Sequence, residues 1–194
     1  MSNHLEKIKE KIMQFSSLPE DEWEAFSDRL VIKKFKRGDF LVAQGQVENY
    51  MYFLNSGSTR NYFLHDGNEF TIDFHFGGDF VSGFYSFITR DPSYVTIELL
   101  EDSETVAISY TDLHHFYRNF HNGERTGRLI TEMQYARRLR KEMDLLALTA
   151  DERYAQLIER NPRLVNEISV KHLSSYLGIQ PESLSRIRKR FARN

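Results

Sequence analysis

The 194-residue sequence contains no cysteine, which excludes disulfide bonds, thiol catalysis, cysteine-ligated zinc and iron–sulfur clusters. It also has no uncharged apolar run near the ~20 residues that a membrane-spanning helix needs. The N-terminal segment MSNHLEKIKEKIMQF is charged at close intervals and is not expected to be a secretory signal. These absences fit a protein of the reducing cytoplasm with no membrane partner.

Motifs of common enzymes are missing as well. There is no GxGxxG after a strand, no phosphate-binding loop of the GxxxxGK[ST] type and no GxSxG nucleophile. Asp73 and His75 share one face of a predicted strand, but no third metal ligand accompanies them. We therefore predict no catalytic residue, no metal and no cofactor, and expect that the protein is not an enzyme.

The net charge of −2 conceals an uneven distribution of charge along the chain. Residues 1–110 hold 10 Lys/Arg and 18 Asp/Glu, whereas residues 147–194 hold nine Lys/Arg and five Asp/Glu. An acidic first part and a basic last part favour two different tasks, with an anionic partner for the basic part.

The acidic part has the pattern of a β domain. Seven of the ten glycines lie between Gly38 and Gly83, separated by short aromatic and apolar runs. The Asp66-Gly67 pair between two aromatic runs predicts a hairpin, and the acidic turn in SYVTIELLEDSETVAISY predicts another. Several short strands separated by turns predict a closed antiparallel roll. Together with an N-terminal helix, it forms a predicted first domain of residues 1–110.

Residues 111–148 are predicted to be helical and to link the two parts. The segment HNGERTG interrupts the pattern with two glycines, after which a long helix is predicted from Gly127 to Leu148. This helix carries a heptad seam spaced 4, 3, 4, 3, formed by Leu129, Met133, Ala136, Arg140 and Met143. The seam could pair with a second copy of the chain or pack on the β domain of its own chain.

Residues 149–194 predict a helix-turn-helix. Ser169 is placed to cap one helix, Gly178 ends it, and Pro181 opens the next at the position where proline is best tolerated. The last helix buries a predicted stripe of Leu184, Ile187 and Phe191. Its outward residues are predicted to be Glu182, Ser183, Ser185, Arg186, Lys189, Arg190 and Arg193. The alternative is a solvated basic helix, although the five basic residues after Ser185 meet no acid in the sequence.

Four of the outward residues have side chains suited to reading bases. Arg186 can make a bidentate contact to guanine, and Glu182 can accept a hydrogen bond from cytosine. Ser183 and Ser185 can donate to bases or phosphates.

The remaining basic residues are predicted to neutralise DNA phosphates. Lys189, Arg190 and Arg193 are predicted to set the register of the helix on DNA and not its sequence preference. On the preceding helix, Lys171 and His172 are predicted to touch the DNA backbone.

Four segments in order resemble the cyclic-AMP receptor protein/Fnr (Crp/Fnr) family of bacterial transcription regulators. They are FKRGDFLVAQGQVENYMYFLNSGSTRNYF, GGDFVSGF, LEDSETVAIS and ISVKHLSSYLGIQPESLSRIRKRF. The resemblance implies an α+β chain with an N-terminal antiparallel jelly-roll like a cyclic-nucleotide-binding domain, a long dimerisation helix and a C-terminal helix-turn-helix. It implies double-stranded DNA and a second copy of the chain as partners, with a small-molecule effector and RNA polymerase as further candidates.

The sequence departs from the cyclic-nucleotide binders of that family at the effector site. Their Gly-Glu and Arg-Ser pairs correspond here to Ser82-Gly83 and Ser93-Tyr94, so both ionic contacts to the nucleotide are missing. Arg90 lies three residues too early and is predicted to be an exposed turn residue. The predicted pocket comprises Ser82, Gly83, Phe84, Arg90, Ser93 and Tyr94. Aromatic residues are expected to fill it, namely Phe80, Phe84, Tyr85, Phe87 and Tyr94.

The sequence therefore predicts a dimeric transcription regulator that contacts DNA through residues 181–191 and does not bind cyclic AMP in the usual way. We also expect the C-terminal β wing of many family members to be missing after Asn194. The alternative function is a sensor or interaction module with a basic C-terminal helix and no specific DNA readout.

Overall fold

The computed structural model describes residues 3–192, which form two four-stranded antiparallel sheets and nine helices. The strands are β1 Val31–Phe35, β2 Phe40–Val42, β3 Tyr50–Ser56, β4 Ser58–His65, β5 Asn68–Phe76, β6 Phe80–Val81, β7 Thr96–Leu99 and β8 Ser103–Ser109. The helices are α1 Asn3–Met13, α2 Glu20–Ser27, α3 Phe84–Thr89, α4 Tyr110–Asn119, α5 His121–Ala147, α6 Ala150–Arg160, α7 Pro162–Glu167, α8 Val170–Leu177 and α9 Pro181–Phe191.

The two sheets form the predicted antiparallel roll. One sheet has the strand order β1-β8-β3-β6 and the other has the order β2-β7-β4-β5. Side chains that alternate along the strands meet in one apolar core between the sheets. This core contains Leu41, Val42, Tyr52, Leu54, Val81, Ile97, Leu99 and Ala107.

The β4–β5 hairpin turns where the sequence predicts it. Asp66 and Gly67 have φ angles of 50° and 75°, which a two-residue hairpin turn of type I′ requires. The register pairs His65 with Asn68 on either side of this turn.

The helices cover the roll on two sides. Helices α1, α2 and α4 pack on the first sheet around Trp23, Phe26 and Phe116. On the second sheet, Phe74 and Phe76 of β5 turn away from the inner core and join the core of α6 to α9. The roll and the C-terminal helices therefore share a hydrophobic core through a single strand.

The long helix α5 begins at His121, earlier than the predicted start near Gly127. The two glycines of HNGERTG lie inside the helix, where they allow aromatic side chains of α4 to approach closely. An added Cβ would lie 2.1 Å from Phe116 Cε1 at Gly123, and 2.1 Å from the Tyr117 hydroxyl at Gly127. The glycines are thus packing residues of the α4–α5 contact and do not break the helix.

The β3–β4 connection depends on Gly57, which gives a stability prediction. Its φ is 101°, and an added Cβ would lie 2.0 Å from Ser103 Oγ. Gly57→Ala should lower the free energy of unfolding by about 1–2 kcal/mol for the left-handed backbone and about 1–3 kcal/mol more for overpacking. Urea unfolding followed by circular dichroism measures the loss.

Gly38→Ala is the matched control, because Gly38 has φ 87° but no atom within 4 Å of an added Cβ. Its loss of unfolding free energy should reflect only the cost of the left-handed backbone. Equal losses for both variants would contradict the packing argument.

Candidate functional site

Helices α8 and α9 form the predicted helix-turn-helix arrangement. The Ser169 side chain caps α8 by accepting a hydrogen bond from the His172 amide. Gly178 ends α8 with φ 68°, and the Ile179 amide closes the turn on the Ser174 carbonyl at 3.0 Å. Pro181 is the first residue of α9. The local turn and cap chemistry therefore matches the prediction.

The inner side of α9 docks through two of the three predicted residues. Leu184 and Ile187 are buried against Leu173 of α8. Phe191 is 39% exposed and meets the edge of the Tyr154 ring at a centroid distance of 5.3 Å. The end of the stripe is therefore a partly covered surface residue.

The outer side of α9 presents most of the predicted nucleic-acid contacts to solvent. Glu182, Ser185, Arg186, Lys189 and Arg190 are exposed. Ser183 is half-buried and accepts a hydrogen bond from Arg186 Nη2 at 3.2 Å. Arg193 lies outside the described residues.

Two of the basic residues of α9 have partners that the sequence did not predict. Arg190 forms an ion pair with Asp151 of α6, so the prediction that these cations meet no acid is wrong. Arg188 donates to the Val165 carbonyl at 2.9 Å and is half-buried. Both partners lie more than 20 residues earlier in the chain, so helical spacing could not reveal them. Arg186 and Lys189 are left as exposed cations with no acidic partner among the described residues.

Helix α8 faces the roll through polar contacts as well as apolar ones. Ser175 Oγ accepts from the Thr71 amide at 2.9 Å and contacts the Glu69 carbonyl at 3.2 Å. Arg60 donates to the Glu69 carboxylate at 2.7 Å and lies 3.2 Å from His172 Nε2. The His172 side chain is half-buried against β4 and Lys171 is exposed, so their contact to the DNA backbone stays a prediction.

A lysine of α5 is half-buried where α5, β5 and α8 meet. The Lys141 ammonium contacts the Ile72 carbonyl and lies 3.6 Å from the centroid of the Tyr176 ring. Burial lowers the pKa of Lys141 to about 8. Nearby, Arg137 of α5 lies 3.6 Å from the Asp73 carboxylate. Polar groups from all three segments therefore fix their relative positions.

The opposite side of α5 presents an apolar face to solvent, which we call the α5 face. Its large exposed side chains are Tyr135, Leu139, Met143 and Leu146, while the exposed Met133 and Leu145 lie about a third of a turn to either side. Of the other predicted seam residues, Ala136 and Arg140 are exposed and Leu129 is half-buried. Leu139 and Leu146, which the predicted seam omits, lie beside Met143 and extend the exposed apolar surface.

The aromatic residues of the predicted effector pocket do not fill a cavity. Phe84, Tyr85 and Tyr94 are 43%, 48% and 65% exposed, so the predicted aromatic plug is wrong for them. Phe87 is buried, but it packs with the α4 residues outside the roll. Because α3 is a short helix, its aromatic side chains project on several sides and only one side meets the protein.

Arg90 serves as a clasp within the fold. It ends α3 with φ 66° and donates to the Glu48 carbonyl and to Asn49 Oδ1, both at 2.6 Å. Its guanidinium also stacks on the Tyr110 ring at 4.3 Å. The prediction of a free exposed turn arginine is therefore wrong, and these contacts do not leave it directed at an anion.

The carboxylate of Glu48 occupies the centre of the predicted effector site. Only 1% of Glu48 is exposed, and it accepts from the Tyr50 amide at 3.0 Å and the Gly83 amide at 3.2 Å. Burial raises the pKa of Glu48 above its ordinary value, although these backbone hydrogen bonds oppose the shift. Glu48 precedes Gly83 by 35 residues, so no local motif announced it.

The space around Gly83 is closed by its neighbours. An added Cβ there would lie 3.2 Å from both Ser93 Oγ and Val42 Cγ1. Ser93 is buried and donates to the Val95 carbonyl at 2.8 Å, while Ser82 donates to the Tyr50 carbonyl at 3.0 Å. The six predicted pocket residues are thus divided between internal hydrogen bonds and exposed side chains.

Comparisons with known proteins agree with this architecture. Residues 32–120 match the family model of the cyclic nucleotide-binding domain. No curated protein sequence matches the chain at a significant level.

Three solved structures illustrate the similarity. FixK2 from Bradyrhizobium japonicum has a TM-score of 0.73 and 20% identity, with 84% of each chain covered. A regulator from Eubacterium rectale assigned to the Crp/Fnr family has a TM-score of 0.71 and 19% identity, covering 90% of this chain and 84% of that one. The catabolite activator protein of Thermus thermophilus has a TM-score of 0.57 and 21% identity, covering 94% and 87%. The chain thus has the fold of a Crp/Fnr-like protein, which confirms the predicted resemblance and fold class.

Two further kinds of site were sought. No helix in the described part of the chain is long and apolar enough to cross a membrane. Within residues 3–192, no three His, Asp or Glu side chains are grouped so as to hold a metal ion.

The buried Glu48 carboxyl gives a prediction about pH. Its pKa is higher in the folded protein than in the unfolded chain, so the folded state binds the proton more tightly. The stabilisation from this group is therefore full below its unfolded pKa and is lost as the pH rises through its folded pKa. The unfolding free energy of the parent minus that of Glu48→Gln should fall as the pH rises above about 4.3, the ordinary pKa of a glutamic acid.

Urea titrations of both proteins at several pH values give this difference, in which the other carboxylates cancel. A difference that rises with pH would mean that the amide hydrogen bonds hold Glu48 in its charged form.

Proposed function

We propose that the protein is a non-enzymatic, dimeric transcription regulator that binds double-stranded DNA through α9. The observation that carries the proposal is a helix docked by Leu184 and Ile187 that presents Arg186, Lys189 and Glu182 to solvent. A helix held on one side by a capped turn, with cationic groups on the other, is suited to the major groove. The fold shared with Crp/Fnr-like proteins supports this reading.

The α9 side chains divide into two roles. Arg186 would read guanine in the major groove, with Glu182 and Ser185 contacting neighbouring bases. Lys189 would neutralise a phosphate. Arg190 would do so only after leaving Asp151, so we expect it to contribute less than Lys189.

The α5 face supports the dimer. An isolated long helix with Met133, Leu139, Met143 and Leu146 exposed would gain from burying them against a second copy. Two paired chains would place their α9 helices in successive major grooves about 34 Å apart. RNA polymerase remains a partner predicted by the resemblance alone.

We also propose that the effector site does not bind cyclic AMP in the usual way. The Glu48 carboxylate already accepts from the Gly83 amide, and a cyclic phosphate there would meet a second negative group. The side chains of Ser93 and Arg90 are engaged by the Val95 carbonyl and by the 48–49 segment. The polar groups of the site thus already have hydrogen-bond partners within the chain.

A second candidate is a sensor or interaction module without specific DNA readout. It is favoured by the engagement of Arg188 and Arg190 within the fold, which reduces the exposed charge of α9. DNA selection distinguishes the two functions.

DNA selection from random pools should return an enriched, two-part motif for the parent protein. Arg186→Ala should lose about 1–3 kcal/mol of preference at one position of each half-site, because a bidentate base contact is removed. Lys189→Ala should weaken binding to all sequences. It should also reduce the magnitude of the slope of log affinity against log salt concentration by about one.

Arg163→Ala is the matched control, because Arg163 is a surface cation outside α9 that is paired with Glu167 of its own helix, α7. It should leave preference and salt slope unchanged. A parent protein with no enriched motif and no binding at low salt would exclude the regulator.

The dimer gives a separate prediction. Met143→Glu should shift the sedimentation of the protein from dimer to monomer, because two charges would be buried at the paired α5 faces. Met13→Glu makes the same substitution at an exposed methionine of α1 and should remain dimeric. A monomeric parent, or equal effects of both variants, would contradict pairing through this face.

A further inference from the structure

A cavity of about 530 Å³ lies between β1, β2, the loop of residues 43–49 and the start of β3. Its volume is within the range of small-molecule sites. It is lined by none of the six residues of the predicted effector pocket, and Glu48 stands between it and the Gly83 amide. The cavity is therefore a separate space on the other side of the Glu48 carboxylate.

One part of this cavity is apolar. Phe35, Leu41, Val42 and Tyr52 line it and belong to the core between the sheets or pack against that core. Val47 of the loop adds a further apolar group at the rim. A hydrocarbon or aromatic body placed there would be removed from water by these side chains.

The polar group at the other part of the cavity is Lys33. Its ammonium lies 3.3 Å from the centroid of the Tyr50 ring. Among the described residues, no carboxylate lies within 4.0 Å of it, whereas Lys34, which also lines the cavity, pairs with Glu104 at 3.8 Å. Lys33 is therefore the lysine of the lining that has no ion pair in the described part of the chain.

The one acidic residue of the lining, Glu48, does not neutralise Lys33 directly. Its two carboxylate oxygens accept from the Tyr50 and Gly83 amides. Burial raises the pKa of Glu48 and the charge of Lys33 opposes this shift, so the two groups interact without forming an ion pair. Lys33 is consequently the group in this cavity that is available to an anion.

We propose that this cavity binds a small organic anion with an apolar body, its carboxylate on Lys33 and its body against Phe35, Leu41 and Val42. A charge-assisted hydrogen bond to a half-buried lysine favours the anion over a neutral compound of the same shape. A neutral ligand would leave the ammonium covered and without a partner.

Binding here would act on the loop of residues 43–49, which the Arg90 clasp joins to the end of α3. The Glu48 carbonyl and Asn49 Oδ1 accept from Arg90, and the Arg90 guanidinium stacks on Tyr110 of α4. A ligand in the cavity would therefore contact a segment that is tied directly to the helical layer.

Isothermal titration calorimetry with octanoate tests the proposal on the full chain and needs no DNA. We expect saturable binding at one site per chain, and at least tenfold weaker binding of methyl octanoate. Lys33→Met should weaken octanoate binding at least tenfold. Lys36→Met is the matched control, because Lys36 is exposed, pairs with Asp102 and does not line the cavity, and it should bind octanoate as the parent does. Leu41→Trp fills the apolar part and should also abolish binding.

The proposal would be overturned if octanoate showed no saturable binding, if the two lysine variants lost affinity equally, or if the methyl ester bound as well as the acid. Circular dichroism of each variant verifies that it is folded. Displacement of octanoate by cyclic AMP would also overturn the proposal, because the cavity would then belong to a nucleotide site.

Discussion

The guanidinium of Arg60 is a buried positive charge, only 2% exposed. The relative position of the roll and the C-terminal helices depends on the groups that compensate this charge. Its partners are Glu69 and Thr71 on β5, the Tyr62 ring and His172 on α8. A buried cation is tolerated only with well-placed partners, so strand and helix are held in one relative position. Helix α9, which packs on α8, thereby acquires a defined orientation to the roll. In the proposed regulator, control of DNA binding would act by changing this contact.

Features fixed within a few residues could be predicted from the sequence. The Asp66-Gly67 turn, the Ser169 cap and the Gly178 helix end each depend on backbone preferences of one or two residues. The order of strands and helices follows from such local signals, which is why the fold class was predictable. The inward positions of Leu184 and Ile187 follow from helical period in the same way.

The candidate site was less predictable because its contacts join distant segments. Glu48 meets Gly83, and Arg190 meets Asp151, across 35 and 39 residues. A match to a family motif gives the positions of residues along the chain, but it does not reveal which neighbouring groups form hydrogen bonds or ion pairs with them. The aromatic residues of α3 illustrate the limit, since the sequence marks Phe84, Tyr85 and Phe87 as alike and only tertiary packing separates them.

The shared core at Phe74 and Phe76 bears on the order in which the chain folds. Strand β5 precedes α6 to α9 in the sequence, so during synthesis the roll can form while its outer partner is still missing. In that interval two phenylalanines lie on an open sheet surface. They attract α8 when it emerges, but until then they are an aggregation-prone patch. The last strand of the hairpin is thus both the template for the C-terminal helices and the most vulnerable surface of the unfinished protein.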